Sequence, residues 1–222
     1  MGARHFLSDE AGAVMVEFTI VITLLLTLVL GFVDLGHAFY QWNAANKAVQ
    51  VGVRLAAVSS PVAEGLVLEA FTPANSSAIG TPVASGTYHY TCSSNAAGVP
   101  SCACTSGSCA GLTASQDAFD LVYFGDDFDD TPLCGAVVAG DRPGMCDFFP
   151  GIEPQNVRIE YIATGLGYWT RPGGAVPTIR VSIVGRQFEF FFLGGLLSFA
   201  DITMPNMLST ITGEDLSTTY TN

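Results

Sequence analysis

The chain has 222 residues, enough for one domain and an anchor. Its 49% apolar and 13% charged content excludes a disordered chain. A formal charge of −12 with only eight Lys and Arg excludes nucleic acid as a partner, because phosphate binding needs a basic face. The first predicted element is an apolar run of 21 residues, Ala13 to Val33, in which Glu17 is the only charged side chain. A transmembrane helix needs about 20 such residues. The run is longer than a secretory signal core, and Gly31-Phe32-Val33-Asp34 is a poor cleavage site. A carboxylate inside the run is costly in lipid, about 2.5–3.5 kcal/mol at a helix centre, and such acids usually mark function. The leader Met1 to Gly12 carries Arg4 and His5 but also Asp9 and Glu10, so charge alone orients the span weakly.

Beyond the span, Leu35, Ala38, Phe39, Trp42, Ala45, Val49, Val53 and Ala56 recur at helical spacing. Asp34, His37, Gln41, Lys47, Gln50 and Arg54 fall off that stripe, and no Pro occurs until Pro61. The pattern predicts one helix of about 45 residues, roughly 70 Å long, running from the span into an amphipathic stalk. Phe39, Tyr40 and Trp42 suit an interfacial aromatic belt, with His37 an interfacial polar residue. The remainder reads as strand and loop. Short strands are expected at 87–92, 157–162, 178–184 and 208–212, with alternation again in Gln187-Phe188-Glu189-Phe190 and a turn at Arg171-Pro172-Gly173-Gly174. From Ser93 to Ser115 the residues are too small to build a core, which predicts a disulfide-pinned loop. The run Phe190 to Phe199 is too short to span a bilayer; it reads either as a buried strand end or as an exposed docking patch.

All six cysteines, Cys92, Cys102, Cys104, Cys109, Cys134 and Cys146, lie beyond the apolar run. An even number in a stretch of small residues predicts disulfides in an oxidising compartment, with 15 pairings open. The spacing lacks the paired C-x-x-C of structural zinc sites, so a metal reading is the weaker one. Their side of the span is therefore extracytoplasmic and the N-terminus cytoplasmic. Asp126, Asp127, Asp129 and Asp130 crowd one loop and offer oxygens to calcium, but without EF-hand spacing; a solvated acidic loop is the plainer expectation, and no cofactor is called for. His5, His37 and His89 are spread along the chain, no G-x-S-x-G or P-loop occurs, and an enzyme is not expected.

Gly12-Ala13-Val14-Met15-Val16-Glu17-Phe18 is similar to the type IV prepilin processing site. The whole stretch Arg4 to Phe18, the Leu-rich span, Gly31-Phe32-Val33-Asp34-Leu35-Gly36, and then Asn43 to Ala48 and Gly52 to Ala57 resemble the TadE family of the tight-adherence (Flp) pilus system. The resemblance covers roughly residues 4–58 and does not extend to the cysteine-rich middle. It implies cleavage between Gly12 and Ala13 by a prepilin peptidase, with Phe18 helping to fix the recognition site. The new Ala13 ammonium and the Glu17 carboxylate would neutralise one another, within a subunit or between neighbours. It further implies a minor pseudopilin of the bacterial inner membrane, whose partners are other pseudopilins and the platform proteins of an adhesive pilus. The expected organisation is a leader (1–12), a transmembrane helix (13–33), a stalk helix (34–58) and an extracytoplasmic domain (59–222). The expected fold is α+β and pilin-like, a long helix followed by a small antiparallel sheet. An uncleaved, signal-anchored binding domain is the alternative.

Overall fold

The computed structural model describes residues 10–66, 80–107, 109–126, 134–135, 140–169, 176–192, 194, 202–214 and 216. Helix α1 runs from Glu10 to Val58, 49 residues in which no Pro interrupts the backbone ladder. Ser59 ends it, its N and Oγ both donating to the Leu55 carbonyl at 3.1 and 2.7 Å, two residues before Pro61. The chain divides into two compact units, Met1–Gln41 with Gln187–Ile202, and Trp42–Arg186 with Thr203–Asn222.

The larger unit is built on a five-stranded antiparallel sheet. Its strands are β1 (His89–Ser94), β2 (Pro100–Ser106), β3 (Val157–Ile162), β4 (Thr178–Ile183) and β5 (Met207–Thr212), in the order β2-β1-β3-β4-β5. The period-2 alternation sends one set of side chains inward. Tyr90, Tyr161 and Ile179 are in register and fully buried, as are Cys92, Ile159 and Val181. On the other face Glu160 accepts from Arg180 at 3.4 Å and lies 3.6 Å from His89. Ala45, Ala48, Val49, Val53 and Ala56 of α1 are buried in this unit's core. Gly52 allows the close approach: a Cβ there would stand 2.6 Å from Met145 Cγ and 3.3 Å from Val181 Cγ1. Helix α2 (Gln116–Phe124) starts at Ser115, whose Oγ accepts from Ala118 N at 3.3 Å, and buries Phe119, Val122 and Tyr123. The single turn α3 (Met145–Phe148) buries Met145 and Cys146.

Three expectations change. The stretch after Ser93 is not all loop, because Pro100–Ser106 pairs with β1 as an edge strand. A strand's ladder is made of backbone groups and does not require bulky side chains on the edge. The turn is built by Asn95, whose Oδ1 accepts from Ala97 N and Val99 N at 2.9 and 3.0 Å, followed by Gly98 at φ 81°. Secondly, the apolar stripe of α1 is buried only from Ala45 onward; Leu35, Phe39 and Trp42 are exposed, while Asp34 and Gln41 are buried. Thirdly, Phe188–Phe190 form no strand despite their alternation. The turn expected at 171–174 lies outside the described residues.

Candidate functional site

The smaller unit holds the apolar run and α1 as far as Gln41, together with Gln187–Ile202. Gly12, Ala13, Glu17 and Phe18 all lie on α1 and are exposed, Phe18 at 64%. Ala13 and Glu17 are four residues apart, so they share a helix face. The space around Gly12 is open. The apolar run offers its hydrophobic side chains outward: Leu24, Leu25, Leu26 and Leu28 are each more than half exposed. Its hydroxyls are satisfied internally. Thr19, Thr23 and Thr27 donate to the carbonyls of Met15, Thr19 and Thr23 at 2.7, 2.7 and 2.8 Å. That leaves a surface suited to lipid or to other apolar helices, since no water is needed to satisfy these groups. The Thr19, Thr23, Thr27 ladder is visible in the sequence as a four-residue period.

Just past the run, α1 grips a returning segment of chain. The Asp34 carboxylate, fully buried, accepts from the backbone N–H of Phe191 and of Phe192, each at 2.9 Å. Two turns on, Gln41 makes a reciprocal pair with Glu189: its Nε2 donates to the Glu189 carbonyl at 2.7 Å and its Oε1 accepts from Glu189 N at 3.0 Å. His37 sits between them. Its Nδ1 lies 2.8 Å from Gln41 Nε2 and 3.0 Å from the Glu189 carbonyl, and its ring packs on Phe191 with centroids 4.3 Å apart. Phe188 N donates to the Ile202 carbonyl at 2.9 Å. Residues 34, 37 and 41 fall on one helix face, so the polar residues left off the apolar stripe form a docking strip. Of the run Phe190–Phe199, Phe191 and Phe192 are 66% and 42% exposed rather than buried, and residues 193 and 195–199 lie outside the described residues.

The cysteines form three disulfides: Cys92–Cys102 across β1 and β2, Cys104–Cys109, and Cys134–Cys146. Of the acidic loop, only Asp126 is described. Its carboxylate takes Arg142 Nε and Nη2 at 2.8 Å each, and these hydrogen bonds hold its pKa below the ordinary Asp value. Asp127, Asp129 and Asp130 lie outside the described residues. Among the described residues no group of three or more His, Cys, Asp or Glu is placed to hold a metal ion.

A membrane-length apolar helix followed by an antiparallel sheet with disulfides is an α+β architecture consistent with a single-pass anchor, and α1 is the one described helix long and apolar enough to cross a membrane. Residues 12–54 match the family model described as TadE-like protein, so this stretch of the chain is TadE-like. The match begins at Gly12 and takes in Glu17, Asp34, His37 and Gln41. It implies a component associated with the Tad/Flp pilus. No curated protein and no solved structure matches the chain.

Proposed function

We propose that the chain is a minor pseudopilin-like subunit of the Flp pilus assembly system, anchored in the bacterial inner membrane. The observation that carries this reading is Glu17, a carboxylate exposed on the apolar half of α1, four residues after Ala13 within the TadE-like segment. In this reading a prepilin peptidase cuts after Gly12, with the leader cytoplasmic and the disulfide-bonded head periplasmic. The freed Ala13 ammonium then meets the Glu17 carboxylate of the same or a neighbouring subunit. In a low-dielectric setting that pairing offsets the cost of carrying either charge into lipid. The head acts as a structural module rather than an enzyme. It works without a cofactor, and its partners are other pseudopilins and the assembly platform of an adhesive pilus.

The test is the N-terminal mass of the membrane-bound protein from hosts with and without the prepilin peptidase. A mature chain beginning at Ala13 only when the peptidase is present supports the reading. A chain retaining its leader in both hosts sinks it and favours an uncleaved, signal-anchored binding domain. Glu17→Gln should then impair piliation while leaving membrane insertion intact; normal piliation in that variant would remove Glu17's assigned role.

A further inference from the structure

The docking strip on α1 does something unusual for a stretch of irregular backbone. Side chains of the helix, not water, take up the N–H groups of Glu189, Phe191 and Phe192 and the carbonyl of Glu189. The Phe188 N–H is taken by Ile202. Irregular backbone with unmet polar groups is barred from the apolar part of a membrane, and partners for these five groups lower the cost of bringing the segment to its edge. The segment also has a direction. Glu189 is held at Gln41, whereas Phe191 and Phe192 are held at Asp34, seven residues and about 10 Å nearer the apolar run. The chain therefore descends along α1 toward the run and presents exposed aromatic rings where it arrives. Phe191 (66% exposed) and Phe192 (42%) are presented at the level of Asp34, directly after the apolar residues 13–33.

From this arrangement we infer that the segment Phe188–Phe192 is a second membrane contact, its two phenyl rings seated in the headgroup–acyl boundary beside the emerging helix. Asp34 is the positioning residue that holds them there. The occupant is lipid, because the exposed rings lie at the level of Asp34, at the very end of the apolar run that the bilayer covers. Amphipathic and aromatic residues gain most at that depth. Glu189, one step farther out beside Gln41, falls at headgroup level. The inference rests on the reading that residues 13–33 span the bilayer.

The experiment uses the full chain in vesicles of phosphatidylethanolamine and phosphatidylglycerol. No described cysteine is free, so a single added thiol can be labelled with an environment-sensitive fluorophore at Phe191→Cys, Leu28→Cys or Val99→Cys. Quenching is read with lipids carrying a nitroxide near the headgroup or near the chain end. The expected result is deep quenching at 28, weak quenching at 99, and shallow quenching at 191 several-fold stronger than at 99. Quenching at 191 no greater than at 99, with 28 still deep, overturns the inference and leaves the spanning reading in place. A label at 191 shielded from lipid nitroxide and from aqueous iodide alike would put a protein there and also overturn it. Loss of deep quenching at 28 would sink both. In Asp34→Ala, with native disulfides verified by mass, shallow quenching at 191 should fall while 28 is unchanged; an unaltered 191 signal removes Asp34 from the account.

Discussion

The Tyr123 hydroxyl donates to the Ile152 carbonyl at 2.8 Å, and burial, followed by the Glu153 charge, pushes its pKa up to about 12. An unfolded tyrosine ionises near 10, so the unfolded chain gives up this proton first. Tyr123 therefore contributes its full share of stability below about pH 10, and that share is lost as the pH rises through about 12. Denaturant melts at neutral and alkaline pH should show this slope. Tyr123→Phe should flatten it and cost about 1–2 kcal/mol at neutral pH, because a buried carbonyl loses its donor. The Asp126–Arg142 pair runs the other way. Asp126 is held below its usual range by the Arg142 hydrogen bonds, against a smaller opposing effect of burial. Its contribution is present above the ordinary Asp value and lost as the pH falls toward the folded one. The guanidinium is 55% exposed, so Arg142→Met should cost less than about 1 kcal/mol in the same melts. Neither pairing was legible in the sequence. Each joins residues 16 or 29 positions apart, and residue type alone does not reveal which carbonyl or carboxylate a distant turn will present.

At the scale of elements, the long helix and strands β1, β3, β4 and β5 were readable because each carries its own period. Edge strand β2 was not, since Ser, Ala and Cys give no hydrophobic signal; Asn95 and Gly98 were the available hint of a hairpin. The docking strip was missed for a different reason. Asp34, His37 and Gln41 look like a solvated face until the segment that covers them, more than 140 residues later, is in place. Gly12, Ala13, Glu17 and Phe18, by contrast, stand out in the sequence as a short motif at the edge of the long apolar run, where the TadE-like match begins. Where α1 packs into the sheet unit, Gly52 yields a testable contrast. Gly52→Ala should be close to neutral, as a helix gain of up to about 1 kcal/mol offsets moving the flexible Met145 side chain. Gly52→Leu should lose about 1–3 kcal/mol by overpacking against Met145 and Val181. Equal thermal midpoints for the two variants would contradict the close approach.

Over the whole molecule, the three disulfides differ in access more than in loop length. By the loop-closure account their stabilising effects differ by less than about 1 kcal/mol. Cys92 and Cys146 are fully buried, whereas Cys109 is exposed and Cys104 partly so. Under graded reduction followed by alkylation and mass mapping, Cys104–Cys109 should open first, with Cys92–Cys102 and Cys134–Cys146 opening as the sheet unit melts. Early loss of Cys134–Cys146 would show that access is not what governs the order. The grip of Asp34 and Gln41 on the returning chain also fixes a count. Their side chains face the same way only because seven residues make nearly two full turns. Adding one alanine between Gly36 and His37 swings Gln41 about 100° away from Asp34, so one hand of the clasp must let go. Adding seven brings both back onto one line but pulls them a further 10 Å or so apart, beyond the reach of a segment that spans only Glu189 to Phe192. The spacing from 34 to 41 thus behaves as a fixed gauge: substitutions elsewhere on this stretch of helix are tolerated more readily than any change in its length.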